Sequence, residues 1–211
     1  MTSRRTPQQQ RSRAKVDAIL NAADQIVDAR GVEALTTTLV AERAGMAVGT
    51  LYQYFASIDS IVDALVARHA AAFADELKAA LAQGHFTRKR DVANASLDAI
   101  ISYYRTHPSF RAVWRGAPSA TNAGFGEAGD ILIDLIIDTL VSEGLATRDN
   151  PDFVLDVEIQ WSIAQGLIGL AFRRDPRGDL AVLAHLRRLF ELDVETVPAA
   201  GPAAREVSAA G

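Results

Sequence analysis

An all-α fold follows from three features of the sequence. Ala-rich stretches repeat apolar residues three and four positions apart, alternating β-branched runs are scarce, and only 7 prolines interrupt the 211 residues. That length suffices for one or two domains with a real core. With 49% hydrophobic and 23% charged residues the composition is that of a globular protein, not of a disordered or membrane chain. Cysteine is absent, which excludes a disulfide framework, a thiolate metal site and a Cys nucleophile, and fits a reducing compartment. No run of about 18 apolar residues exists to span a membrane. The opening MTSRRTPQQQRSR has no apolar stretch behind its basic residues, so it does not read as a signal peptide. The expected location is the cytoplasm.

Each helix has its own signal. Val16, Ile19, Leu20, Ala23, Ile26 and Val27 form one apolar stripe. Arg30 and Gly31 then read as a helix stop. Thr36, Thr37 and Thr38 supply N-cap hydroxyls for a short helix to Ala44, which Gly45 ends. A second short helix covers about Val48 to Phe55. Ser57 caps a long helix with Ile61, Leu65, Val66 and Phe73 on one face, running to about Leu81 and ending before Gly84. Val92 to Arg105 is a helix stopped near Pro108, and Phe110 to Arg115 is a short aromatic-rich piece. Gly116 to Gly129, with Pro118, reads as a loop or frayed helix start. Ile131 to Val141 is strongly apolar and ends near Gly144. Pro151 opens a long helix through Phe172, and Gly178 precedes a last one to about Leu192. The tail from Pro198 is mostly Ala, Gly and Pro and is expected to be disordered.

Charge is unevenly placed. Arg4, Arg5, Arg11, Arg13 and Lys15 stand without an acid in the first 15 residues, so the net −4 of the whole chain leaves −9 on the rest. A basic arm on an acidic body suits a protein that meets a polyanion at one end, or a solvated tail. The residues C-terminal to the arm favour the polyanion. Two short helices joined by a tight Gly turn and backed by a longer amphipathic helix have helix-turn-helix spacing. Ala41, Ala44 and Gly45 let the short helices cross closely, while Val40, Leu51 and Phe55 point inward. The outer face offers Val48, Gly49, Thr50, Tyr52, Gln53 and Tyr54. Gly49 permits close approach to a phosphate. The hydroxyls of Thr50, Tyr52 and Tyr54 can bond phosphate, and Gln53 can read adenine bidentately.

The run Thr36-Thr37, Val40-Ala41, Ala44-Gly45 and Gly49-Thr50-Leu51-Tyr52-Gln53-Tyr54-Phe55 resembles the DNA-binding domain of the TetR/AcrR family of transcriptional regulators. The match spans roughly residues 12 to 72, with the motif at about 36–55. The expected layout is a basic disordered arm over 1–11, the helical ligand-binding and dimerisation domain over 73–194 that the resemblance implies, and a disordered tail over 195–211. The resemblance also implies a homodimer on a palindromic double-stranded DNA operator, usually a repressor released by a small apolar effector. Thr37 and Thr38 join Val48, Gly49, Thr50, Tyr52, Gln53 and Tyr54 as the expected DNA-binding residues. Three positions depart from the family pattern. Ala47 stands where a capping Ser or Thr is common, Ile58 where a phosphate-binding Lys is common, and Thr38 where Arg is common. The basic arm is placed to compensate by reaching the backbone or the minor groove. The competing reading is a helical dimer that sequesters a small molecule or binds a partner without touching an operator.

Other signals weigh less. Gly124-Phe125-Gly126-Glu127-Ala128-Gly129 spells G-x-G-x-x-G but lacks the strand and βαβ unit that a dinucleotide site requires, so it reads as a helix entry. His69, His85, His107 and His185 are scattered without metal-ligand spacing. No metal, cofactor or catalytic residue is expected, so an enzyme has no constellation to stand on. Asp130, Asp134 and Asp138 share one helix face and read as a solvated acidic stripe, with a cation-binding pocket as the alternative. Tyr103, Tyr104, His107, Phe110, Trp114 and Phe125, with Trp161, Gln165 and Phe172, are candidates to line the effector pocket. Core packing is the alternative for them. The last two helices are apolar around much of their circumference, which suggests a four-helix dimer interface through Trp161, Ala164, Leu167, Ile168, Ala171, Leu183, Leu186 and Phe190. Burial inside one subunit is the alternative there too.

Overall fold

The computed structural model describes the backbone of residues 7–116 and 122–193, and the side chains of 8–113 and 129–191. Within these it is all-α, with no strand: α1 (Pro7–Arg30), α2 (Thr37–Arg43), α3 (Val48–Leu51), α4 (Ile58–Ala82), α5 (Lys89–Thr106), α6 (Pro108–Gly116), α7 (Asn122–Ser142), α8 (Pro151–Arg174) and α9 (Leu180–Asp193).

Local chemistry sets most boundaries. Thr36 accepts from Leu39 N at 3.2 Å to start α2. Ser57 and Ser60 cap α4 reciprocally, each hydroxyl accepting the other's backbone N–H at 3.2 Å. Asn150 caps α8 with Pro151 in its first turn, and Asp179 Oδ1 accepts from Ala181 N and Val182 N to start α9. Two boundaries differ from those expected. Helix α1 begins at Pro7, so residues 7–11, expected as disordered arm, are helical, and Arg11, Arg13 and Lys15 stand on an ordered rod. Gln and Arg are good helix formers, and Pro is tolerated in a first turn. Helix α7 begins at Asn122, earlier than the expected Ile131, so Gly124, Gly126 and Gly129 lie in its entry and not in a loop. The expected tail over 195–211 lies outside the described residues.

Two hydrophobic cores result. One gathers Ile19, Ala23 and Ile26 of α1, Val40 and Ala41 of α2, Leu51 of α3 and Ile61 and Leu65 of α4, with Val113 of α6. The other gathers Phe73, Leu77 and Leu81 of α4 with α5, α7, α8 and α9. Helix α4 serves both. Its 25 residues span roughly 37 Å, and buried side chains recur at 61, 65, 69, 73, 77 and 81. His69 sits at the seam.

Candidate functional site

The helix-turn-helix is built locally. Gly45 adopts φ +67°, and Met46 N bonds Ala41 O at 3.0 Å while Gly45 N bonds Glu42 O at 3.1 Å. This is a Schellman stop, and its left-handed residue is a glycine for the ordinary steric reason. Leu51 is fully buried and Phe55 nearly so, so α3 is pinned from below. A four-residue helix has no stability of its own and depends on that packing. The residues after Leu51 continue as a turn through Tyr54 and not as the longer helix expected.

The upper face holds the expected DNA-contacting residues, but not equally. Thr38, Gly49, Tyr52 and Gln53 are exposed, whereas Thr37, Val48, Thr50 and Tyr54 are half-buried. Tyr52 OH lies 3.4 Å from Thr37 Oγ1, linking α3 to the start of α2. Lys15 Nζ stands 5.9 Å over the Tyr54 ring, so the basic end of α1 reaches this face. A Cβ on Gly49 would meet nothing, so internal packing does not demand glycine there. Ala47 gives α3 no side-chain cap, as its sequence implies. Ile58 is half-buried against the N-terminal core, which accounts for an apolar residue at a position the family resemblance gives to lysine.

The second domain contains a cavity of about 220 Å³. Its walls are Lys89, Ala93, Ser96, Leu97 and Ile100 of α5, Ile136 and Leu140 of α7, Phe153, Asp156, Val157, Gln160, Trp161 and Ala164 of α8, and Phe190 of α9. Of the described side chains expected to bind effector, Trp161 is the one that lines it. The other described ones pack elsewhere. Tyr103 and Tyr104 are buried, with the Phe110 ring at 5.1 and 5.0 Å from theirs, and His107 stacks on Tyr103 at 3.9 Å. The Phe172 ring lies 5.1 Å from that of Tyr104, whose hydroxyl donates to Gln165 Oε1 at 3.5 Å. Burial raises the phenol pKa of Tyr104, and that of Tyr103 with help from the charges of Glu76 and Asp24. This cluster is core, the alternative the sequence left open. The side chains of Trp114 and Phe125 lie outside the described residues.

The expected dimer residues also face inward. Ala164, Ile168, Ala171, Leu183, Leu186 and Phe190 are buried within the subunit, and Trp161 and Leu167 pack half-buried against the same core. The apolar surplus instead lies on another stripe of α8, where Leu155, Ile159, Ile163 and Leu170 are exposed around an open Gly166, with Leu189 of α9. Where a helix is apolar on most sides, periodicity does not say which side turns inward.

Sequence reasoning missed the joint between the two cores. His69 Nε2 lies 3.1 Å from Asp24 Oδ1 of α1 and 3.2 Å from Ser109 Oγ of α6, and Nδ1 lies 3.0 Å from Tyr103 OH of α5. An ionised carboxylate only accepts, so Nε2 donates to Asp24. Arg68 adds an ion pair to Asp24 at 3.1 Å, and Asp28 accepts from Ser109 N at 2.6 Å in the first turn of α6. Desolvation pushes the Asp24 carboxyl up. Hydrogen bonds from His69 and Ser109 and the electrostatic pull of His69 and Arg68 outweigh it and hold the pKa below the ordinary value. A signal for this joint exists in the sequence: spacing of four places His69 on the apolar stripe of Leu65 and Phe73, and a buried imidazole requires partners. The acidic stripe has a partner as well, since Arg148 bonds both Asp134 and Asp138.

Comparison with known proteins agrees with this geometry. The profile described as bacterial regulatory proteins, tetR family, matches residues 19–65, and the tetracyclin repressor-like C-terminal domain matches 87–193. A TetR-family transcriptional regulator from Streptomyces coelicolor superposes with TM-score 0.70 at 26% identity, over 85% of this chain and 96% of that one. The fatty acid degradation regulator FadR from Bacillus halodurans gives 0.67 at 15% identity, over 91% and 97%. A TetR regulator from Rhodococcus sp. RHA1 gives 0.66 at 17%, over 89% and 100%. No curated protein sequence matches the chain.

Proposed function

Because the chain belongs to the TetR family of bacterial regulatory proteins, a family of DNA-binding transcriptional regulators, we propose that it is a homodimeric repressor released from a palindromic operator by a small effector. Helix α5 carries this reading. Its Lys89 to Ile100 stretch walls the cavity, and one turn later Tyr103 holds His69, which is bonded to α1 of the DNA-binding unit. An effector that displaces α5 acts on the joint through a packed helix and not through a flexible loop. Occupancy then changes the angle of α1 and α4, and with it the separation of the two α3 elements from the ~34 Å that successive major grooves require. Two-fold symmetry of the dimer is what makes the operator palindromic.

On the DNA side, Gln53 is exposed and its side-chain amide has no hydrogen-bond partner among the described residues, so it is free to read a base. Tyr52 and the Thr37 hydroxyl beside it serve the phosphate backbone. Gln53→Ala should cost ~1–3 kcal/mol at one operator position and relax preference there. Tyr52→Phe should weaken specific and random DNA alike. Binding titrations of both variants on operator, singly mutated operator and random DNA test this. Equal losses on every DNA would remove Gln53 from base reading. No mobility shift of the wild type on its own upstream DNA at low salt would return the protein to the reading of a sequestering dimer.

Dimerisation is assigned to the exposed stripe of α8. Leu155, Ile159, Ile163 and Leu170 lie on one face, with Ser162 and Gly166 small enough to admit a partner helix closely. Ile159→Arg should convert the dimer to monomer with little loss of helix content, because that side chain is 46% exposed in the subunit. Sedimentation equilibrium reads the outcome, and an unchanged dimer would place the interface elsewhere.

A further inference from the structure

We infer that the effector is an amphiphile of no net charge, with an apolar body and an end that both donates and accepts hydrogen bonds, such as an alcohol or a primary amide. The inference rests on the cavity being the effector site, as proposed above.

The cavity is polarised along its length. Helices α5 and α8 run side by side in the same direction. Lys89 Nζ lies 5.2 Å over the Phe153 ring where the two helices begin, and Tyr104 OH meets Gln165 further along them, beyond the cavity lining. Between them the lining passes from Lys89, Asp156 and Gln160 to Trp161, Ile100 and Ala164, with Ile136 of α7 facing them. One end holds the charged and amide groups, and the rest is apolar but for Ser96.

The polar end, at the mouth, holds one cation and one carboxylate, Lys89 exposed and Asp156 half-buried. Among the described residues neither the Lys89 ammonium nor the Asp156 carboxylate has a hydrogen bond or an ion pair, and they do not pair with each other. Gln160, one turn beyond Asp156, has none either. Ser96 donates its hydroxyl to Val92 O at 2.9 Å, so it offers the cavity only an acceptor. A bound anion would be drawn by Lys89 and repelled by Asp156, and a bound cation the reverse. The two Coulomb contributions oppose each other, while an ion drawn in beside the half-buried Asp156 and Gln160 still gives up part of its hydration. A hydroxyl or amide escapes that cost. It donates to Asp156 and accepts from Lys89 or Gln160, two bonds strengthened by the charges already there.

Three probes with one body test this: 4-phenylbutanol, 4-phenylbutyrate and 4-phenylbutylamine, titrated calorimetrically into the full-length protein. The alcohol should bind about tenfold or more tighter than either ion, the difference expected for hydrogen bonds to charged groups. Asp156→Asn leaves a net positive end and should bring the butyrate to the front, and Lys89→Met should do so for the amine. Ala93→Trp, which fills the cavity, should abolish binding of all three while circular dichroism stays helical. A wild type that prefers the butyrate or the amine, with binding lost in Ala93→Trp, overturns this inference and leaves the cavity as the effector site. Binding of the probes unaffected by Ala93→Trp overturns the cavity assignment. Failure of all three to bind at millimolar concentration counts against both.

Discussion

Replacing His69 with alanine is expected to lower unfolding free energy by ~2–4 kcal/mol and to uncouple operator binding from effector. The imidazole is 5% exposed and bonds three helices other than its own. Its removal leaves Asp24 with Arg68 and Ser109 only, Ser109 with one partner fewer, and a void beside Phe110. Losses of this size belong to the breaking of buried polar networks. The Tyr103 hydroxyl keeps its bond to His69 O at 3.2 Å, so Tyr103→Phe should cost less, and the double variant should depart from additivity by ~0.5–3 kcal/mol. Urea denaturation of the four proteins gives the cycle. Operator binding with and without effector gives the coupling, and a His69→Ala protein still released normally would make the joint a structural tie only. Acid stability gives a further readout. Asp24 has its pKa lowered on folding, so its contribution is complete above about pH 4 and is lost as pH falls through the folded value. Asp24→Asn should flatten that part of the acid limb, and a limb of unchanged slope would show that Asp24 is not held ionised by the joint.

Leu51→Ala is expected to be the most damaging change in the DNA-binding unit, at ~2–5 kcal/mol. Leu51 is fully buried and closes α3, with Tyr54 N and Phe55 N both bonded to its carbonyl. A helix of four residues gains almost nothing from its own hydrogen bonds, so the loss of this anchor frees the whole reading element. Operator affinity should collapse, while binding in the cavity, which shares no lining residue with this core, should persist. Tyr52→Ala is the matched control. That side chain is 52% exposed, so stability should stay near wild type while DNA binding falls. Thermal unfolding and operator titration of both variants separate packing from contact. A Leu51→Ala protein that retained operator affinity would mean that α3 does not need its core to present Gln53.

The N-terminal third is readable because its signals are local. Gly45 stops α2 and Ser57 caps α4 through residues at most four positions away, and a stripe such as Ile19, Ala23 and Ile26 marks burial by spacing alone. The start of α1 lies earlier than expected because the polar run from Pro7 has no apolar face, and helix propensity without a stripe is a weak signal. The aromatic cluster misleads for a different reason. Tyr103, Tyr104, Phe110 and Phe172 are large and apolar with polar tips on the tyrosines, which suits a pocket wall and a core equally.

Residue order alone thus specifies the all-α class, most of the helices, the turn between α2 and α3, and the identity of the residues pinned beneath them. Three other features emerge only when the helices pack. Packing turns Ala164, Ile168, Leu186 and Phe190 inward and leaves Leu155, Ile159 and Ile163 facing out. It brings His69 to partners 34, 40 and 45 residues away in the chain. It also opens the cavity between helices that share no sequence motif. The physical reason is common to all three. Periodicity records that a side chain leaves water, but the surface it leaves water for belongs to another helix, and only the packing of all the helices at once selects it.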